Sequence, residues 1–119
     1  MGSAKRSSTI LYHAAVQADW ESRTSETYQP AGLVDEGFVH LSSAEQLIGT
    51  LHKHYLGRRD LVLLTVDTEQ VSAELVWEDL YGSGMEFPHV YGPIELLAIT
   101  DVTPLPCDED GRFTWSPGQ

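Results

Sequence analysis

Leu61-Val-Leu-Leu-Thr-Val66 is an uninterrupted run of apolar and β-branched residues. It is too short for an ordinary helix and lacks the alternation of a strand with one wet face, so it reads as a strand buried on both sides. Such a strand has to be covered from two directions, and the rest of the chain must supply the covers. The chain has 119 residues, enough for one compact domain that buries about two-thirds of its unfolded surface. The expected division is a single domain over residues 9–104, a flexible Ser-rich head over residues 1–8 and an acidic tail over residues 105–119.

Around that strand the local signals alternate between strand and helix. Thr9 to Ala14 begins with β-branched and aromatic residues and predicts a strand. Val16 to Thr27, with Trp20 as its largest apolar residue, predicts a short helix. Pro30 and Gly32 mark a turn, Leu33 to Glu36 a helical turn, and Gly37 its stop. Phe38-Val-His-Leu41 predicts a strand. Ser42 and Ser43, with Glu45 and Gln46 three residues after them, form a capping-box pattern that starts a helix running to about Tyr55. Leu47, Ile48, Leu51 and Tyr55 share one face of it. Further strands are expected at Glu74 to Glu78, in extended form over Phe87 to Pro93, and at Glu95 to Val102. The tail keeps Trp115 as its single large anchor, a side chain that would also suit a partner subunit. The pattern is α+β, with about six strands and two or three short helices, and lacks the regular alternation of a doubly wound fold.

Charge narrows the functions. Lys and Arg number 7 against 18 Asp and Glu, a formal charge of −11. A field of that sign repels phosphate backbones, which argues against DNA and anionic membranes as partners. An anionic small molecule would need a local cationic pocket, and the basic candidates are few: Lys5, Arg6, Arg23, Lys53, Arg58, Arg59 and Arg112. The lone Cys107 excludes an internal disulfide and suits a reducing compartment, so a cytoplasmic location is expected. No apolar run approaches the roughly 18 residues that span a bilayer.

Five histidines are present, and three sit in similar settings. His13 follows Leu11-Tyr12, His40 lies within Phe38-Val-His-Leu-Ser42, and His89 lies within Phe87-Pro-His-Val-Tyr-Gly-Pro93. Each is flanked by residues that should be buried, where an imidazole needs a partner. One reading makes each a structural histidine bonded to a backbone carbonyl; the other brings the three together in one pocket. Their spacings match no metal-ligand signature, and His52 and His54 at i,i+2 on a helix point apart, so no metal is expected. Glu78, beside Trp77 at a strand end, and Glu86, close to His89, stand out from the surface carboxylates. There is no phosphate-binding glycine loop, no nucleophile elbow, and nothing that would activate Cys107.

Leu11-Tyr-His13, Gly32-Leu33, Asp35-Glu-Gly-Phe-Val-His-Leu-Ser42, Glu45-Gln46, Leu61-Val-Leu-Leu64, Trp77-Glu78 and Phe87-Pro-His-Val-Tyr-Gly-Pro93 together resemble the domain of unknown function 952 family, from about Thr9 to Val102. That family is distantly similar to the ADP-ribosyltransferase fold, and most of all to the tRNA 2′-phosphotransferases, with their Leu-Tyr-His-Gly-Thr and His-Val-His-Leu-Ser strands. The resemblance implies an ADP-ribosyltransferase-like split, mainly antiparallel sheet with a cleft for nicotinamide adenine dinucleotide (NAD). Tyr12, His13, Ser42, Arg58 and Tyr91 would bind the ligand; His40, His89 and Glu78 would carry the chemistry of transferring or hydrolysing ADP-ribose. His13 would hold a ribose hydroxyl, Tyr12, Trp77 or Tyr91 would stack, and His40 and His89 would act as acid and base or hold phosphate.

The chain departs from those relatives. Ala14-Ala15 replaces Gly-Thr, Asp35-Glu36 replaces a basic residue, the third block lacks a catalytic Glu, and the basic RNA-facing domain is missing. These differences make tRNA a poor substrate and keep two other readings in play. One is a non-catalytic binding module with a degenerate cleft and a protein partner. The other is a metal-assisted hydrolase using the motif histidines.

Overall fold

The computed structural model describes residues 10–80 and 82–117. The expected head and Thr9 lie outside the described residues. In chain order the elements are β1 (Ile10–Val16), α1 (Gln17–Glu21), β2 (Thr27–Tyr28), α2 (Ala31–Glu36), β3 (Val39–His40), α3 (Ala44–His54) and β4 (Leu61–Asp67). Then come a 3-10 turn (Thr68–Gln70), β5 (Leu75–Glu78), β6 (Phe87–Val90), β7 (Ile94–Glu95), a second 3-10 turn (Leu96–Ala98) and β8 (Ile99–Pro104). The architecture is α+β with three helices and antiparallel sheets, ordered β1-β4-β8, β3-β6-β5 and β2-β7. No helix among the described residues is long and apolar enough to cross a membrane.

The apolar run becomes β4, the centre strand of its sheet, and both its faces are covered. Leu64 and Val66 point into a cluster with Leu11, Ala15, Tyr28, Leu41 and Val90. Leu61 and Leu63 point the other way, into a cluster with Ala14, Leu47, Leu51, Leu105 and Phe113. The helix that forms the second cover starts where expected. Ser43 caps α3, its side chain accepting from the Gln46 N–H while the Gln46 side chain accepts from the Ser43 N–H. Such a box satisfies two otherwise orphaned donors and pins the first turn.

Two segments fold differently from the pattern. The helix expected over Val16 to Thr27 stops after Glu21, because the Thr24 hydroxyl takes hydrogen bonds from the N–H groups of Glu26 and Thr27 and folds a side-chain turn. The strand expected over Glu95 to Val102 breaks at Leu96–Ala98 and changes sheets, β7 pairing with β2 and β8 with β4. Two-residue strands of this kind raise the number of strands among the described residues to eight.

The tail holds more than one anchor. Phe113 is 2% exposed and Leu105 3%, and both pack against Leu47 and Leu51 of α3. Trp115 lies edge-on to Tyr12 of its own chain, ring centres 4.8 Å apart. His52, expected on a solvated face, accepts the Phe113 N–H at Nε2 over 2.8 Å. Arg59 donates to the carbonyls of Cys107 and Asp108, and the Gly57 N–H donates to the Gly111 carbonyl. Gly111 has φ +81°, and a Cβ there would sit 2.8 Å from the Gly57 nitrogen. Gly111→Ala combines a left-handed backbone with that collision, so a loss of about 1–3 kcal/mol is expected. Thermal melting measures it, and an unchanged midpoint would show that the tail turn is not held in this form.

Candidate functional site

Strand pairing brings the two histidine blocks together. In the β3–β6 ladder Val39 faces Val90 and His40 faces His89. The valines enter the core, so strand alternation puts both imidazoles on the opposite face. The β5–β6 register adds Glu78, opposite Phe87, to that face. The ring centres of His40 lie 5.2 Å from those of His89 and 5.3 Å from those of Phe87.

His89 is completely buried and stacks on Phe38 with centres 4.0 Å apart. Its Nδ1 lies 2.8 Å from Oε2 of Glu78. A carboxylate can only accept, so Nδ1 carries the proton. The same Glu78 oxygen accepts the Tyr91 hydroxyl. These bonds, Tyr91 first and His89 second, hold the Glu78 carboxyl below its usual range. The Glu78 bond in turn pushes the Tyr91 phenol up to about 12. Nε2 of His89 is buried and has no hydrogen-bond partner among the described residues.

His13 is satisfied on both sides. Nδ1 donates to the His40 carbonyl over 2.8 Å, which leaves Nε2 to accept the Tyr28 hydroxyl over 2.8 Å. Burial lowers its pKa, outweighing the opposite pull of the His40 carbonyl and Asp19. His40 is also held neutral. Burial first, then the nearby His89, His13 and His54, brings its pKa down to about 4. Its ring has no hydrogen-bond partner among the described residues.

His40 separates two cavities. The larger, about 400 Å³, has α3 on one side, through Glu45, Gln46, Gly49, Thr50, Lys53 and His54, and Ser83, Met85 and Phe87 on the other. The smaller, about 120 Å³, is bounded by His13, Asp19, Tyr28, Glu36, Phe38 and Tyr55 among others. The expected site residues therefore scatter. His13 and His40 reach a cavity, whereas His89, Glu78 and Tyr91 form a relay behind His40. Ser42 is buried, donates to Thr50 and pairs with Tyr12 through the backbone. Tyr12 packs beneath Trp115. Arg58 is occupied by Asp60 in a bidentate bond of 2.9 and 2.7 Å. The Glu86 carbonyl accepts from Gln46.

The α3 wall was legible but passed over. Gln46, Gly49, Thr50, Lys53 and His54 recur at the helical period, so they form one polar stripe beside the apolar one. Lys53 makes no hydrogen bond or ion pair among the described residues, whereas Arg23 lies on Trp20 and Arg58 and Arg59 are engaged; the Arg112 side chain makes none either but lines neither cavity. No group of three or more His, Cys, Asp or Glu among the described residues is placed to hold a metal.

No curated protein matches the chain. The crystal structure of protein CC0527 from Caulobacter crescentus is similar, with 33% identity, 89% of this chain and 94% of that one covered, and a TM-score of 0.78. The solution structure of CC0527 is similar too, at 31% identity over 90% of this chain and 93% of that one, TM-score 0.71. The family model described as "Protein of unknown function (DUF952)" matches residues 14–102. With most of the strands and both histidine blocks inside that match, the chain belongs to the DUF952 family.

Proposed function

We propose that the protein binds a nucleotide of the ADP-ribose type, NAD included, with the phosphates in the larger cavity. One observation carries the reading: Lys53, a cation without a protein partner, shares that cavity with the neutral, unbonded His40. In a chain of charge −11, a free ammonium on a concave wall is where an anionic group gains most. His54 adds a second donor, and Phe87 and Met85 offer apolar surface for a base. This donor set fits a nucleotide. His40 would present a ring nitrogen to a hydroxyl or phosphate oxygen.

Titration with ADP-ribose, followed by amide and histidine NMR shifts, tests the proposal. Shifts are expected at His40, Lys53 and Phe87, with a dissociation constant below about 1 mM, or roughly 4 kcal/mol. Lys53→Ala is expected to weaken binding about tenfold, which is about 1.4 kcal/mol. Unmoved resonances at millimolar ligand would end the reading.

Binding without transfer is favoured by the position of Glu78. Its carboxylate lines neither cavity, and one of its oxygens already accepts from His89 and Tyr91. An assay of nicotinamide release from NAD separates the two: release supports ADP-ribosyl chemistry, and its absence with intact ADP-ribose binding supports a binding module.

A further inference from the structure

The smaller cavity has a different character from the larger one. Its wall includes three aromatic side chains, Tyr28, Phe38 and Tyr55, and two carboxylates, Asp19 and Glu36, but no Lys or Arg. The Tyr55 hydroxyl has no hydrogen-bond partner among the described residues. The two imidazoles on the wall bring no compensating charge, since burial holds His13 and His40 neutral. Neither carboxylate forms an ion pair among the described residues; Asp19 accepts only the Ala31 N–H, at 3.4 Å. The Glu36 carboxylate lies back over Gly32, Oε1 4.0 Å from where a Cβ on that glycine would stand, and both residues border the cavity. The negative field of Asp19 reaches His13, Tyr28 and Tyr55; at Tyr55 that of Glu36 joins it, opposed by the field of Arg58, a cation outside the wall and already paired with Asp60.

Two features that arise independently thus agree in sign. Aromatic walls attract a cation through the ring quadrupole and prefer a weakly hydrated one. Unpaired carboxylates add Coulomb attraction, stronger at the half-buried Asp19 than at the exposed Glu36. An inorganic ion would want a cluster of oxygen ligands, which the described residues do not assemble. We propose that the smaller cavity binds a small organic cation, a quaternary ammonium or N-alkylpyridinium head, and that Asp19 and Glu36 set its preference for charge. The proposal deepens the reading above and rests on it in one respect. His40 borders both cavities, so a nucleotide ending in a positively charged ring would occupy the two together.

The test uses two probes of nearly the same shape, the cation 1-methylnicotinamide and neutral nicotinamide, titrated into the full chain with His13, Tyr28 and Tyr55 as NMR reporters. The cation is expected to bind at least tenfold more tightly. Asp19→Asn and Glu36→Gln should each lower its affinity toward that of nicotinamide, with nicotinamide binding unchanged. Equal affinities, no binding of either probe, or a preference that survives both substitutions would overturn the proposal. Because Asp19 also accepts the Ala31 N–H, Glu36→Gln carries the test alone if Asp19→Asn disturbs the amide spectrum. A parallel titration with ADP-ribose, which lacks the charged ring, keeps the two ideas apart. Cation binding without ADP-ribose binding ends the nucleotide reading and leaves the cation subsite. ADP-ribose binding with no charge preference does the reverse. NAD binding more tightly than both probes identifies the cation as the ring end of a dinucleotide rather than a free amine.

Discussion

Phe113→Ala is expected to destabilise the fold by about 3–5 kcal/mol, the range for removing a fully buried aromatic ring. The residue sits in a stretch whose composition is acidic and polar, yet its ring is 2% exposed. It closes the cluster formed by Leu47, Leu51, Leu61 and Leu63, so truncation leaves a cavity against the central strand. Its backbone is fixed as well, by the N–H bond to His52. Trp115→Ala should cost less, because that ring is only partly buried and packs on Tyr12 at the edge of the cluster. Chemical denaturation of the two variants gives the comparison. A loss below 1 kcal/mol for Phe113→Ala would mean that the tail is an appendage and not part of the core.

Acidification should produce the second large effect. The folded chain holds His40 neutral down to about pH 4, with His13 lowered in the same direction. In the unfolded chain both imidazoles take up protons near pH 6.5. Below that point the unfolded state binds more protons than the folded one, so stability is complete above about pH 6.5 and falls as pH drops toward 4. The slope is up to about 1.4 kcal/mol per pH unit for each histidine, and His40 alone accounts for on the order of 3 kcal/mol across the window. Glu78, whose carboxyl is held low by Tyr91 and His89, acts in the same sense, as its bonds are lost on protonation. His40→Leu removes one titrating group and should flatten the profile between pH 6.5 and 4. Urea midpoints that stay level over that range in the parent protein would contradict the burial of these rings as neutral species.

Much of the framework was legible because it depends on short-range chemistry. A run such as Leu61 to Val66 can be covered from both sides only as a central strand, and β4 is one. The Ser43–Gln46 box needs four residues and no distant partner. The similarity of the His40 and His89 settings was also visible, and the ladder makes them cross-strand neighbours. Other features depend on partners far along the chain. Nothing near His52 announces that it receives an N–H from Phe113, nor does Arg59 reveal that the carbonyls of Cys107 and Asp108 engage it. The Thr24 turn was missed for a different reason: a hydroxyl can serve a helix face or fold back on the backbone, and local composition does not decide between them. The cavity residues of α3 were missed because a polar helical stripe looks the same whether it faces solvent or a cleft. The distinction comes from Met85 and Phe87, which arrive from another part of the chain.

Gln46 has three roles at once. It caps its own helix through Ser43, borders the larger cavity, and donates 2.7 Å to the carbonyl of Glu86 in the segment that carries Met85 to the opposite wall. Fraying of the first turn of α3 and opening of that segment are therefore coupled through this bond. A molecule that braces the two walls would be felt as slower amide exchange in that turn, even at positions it never touches.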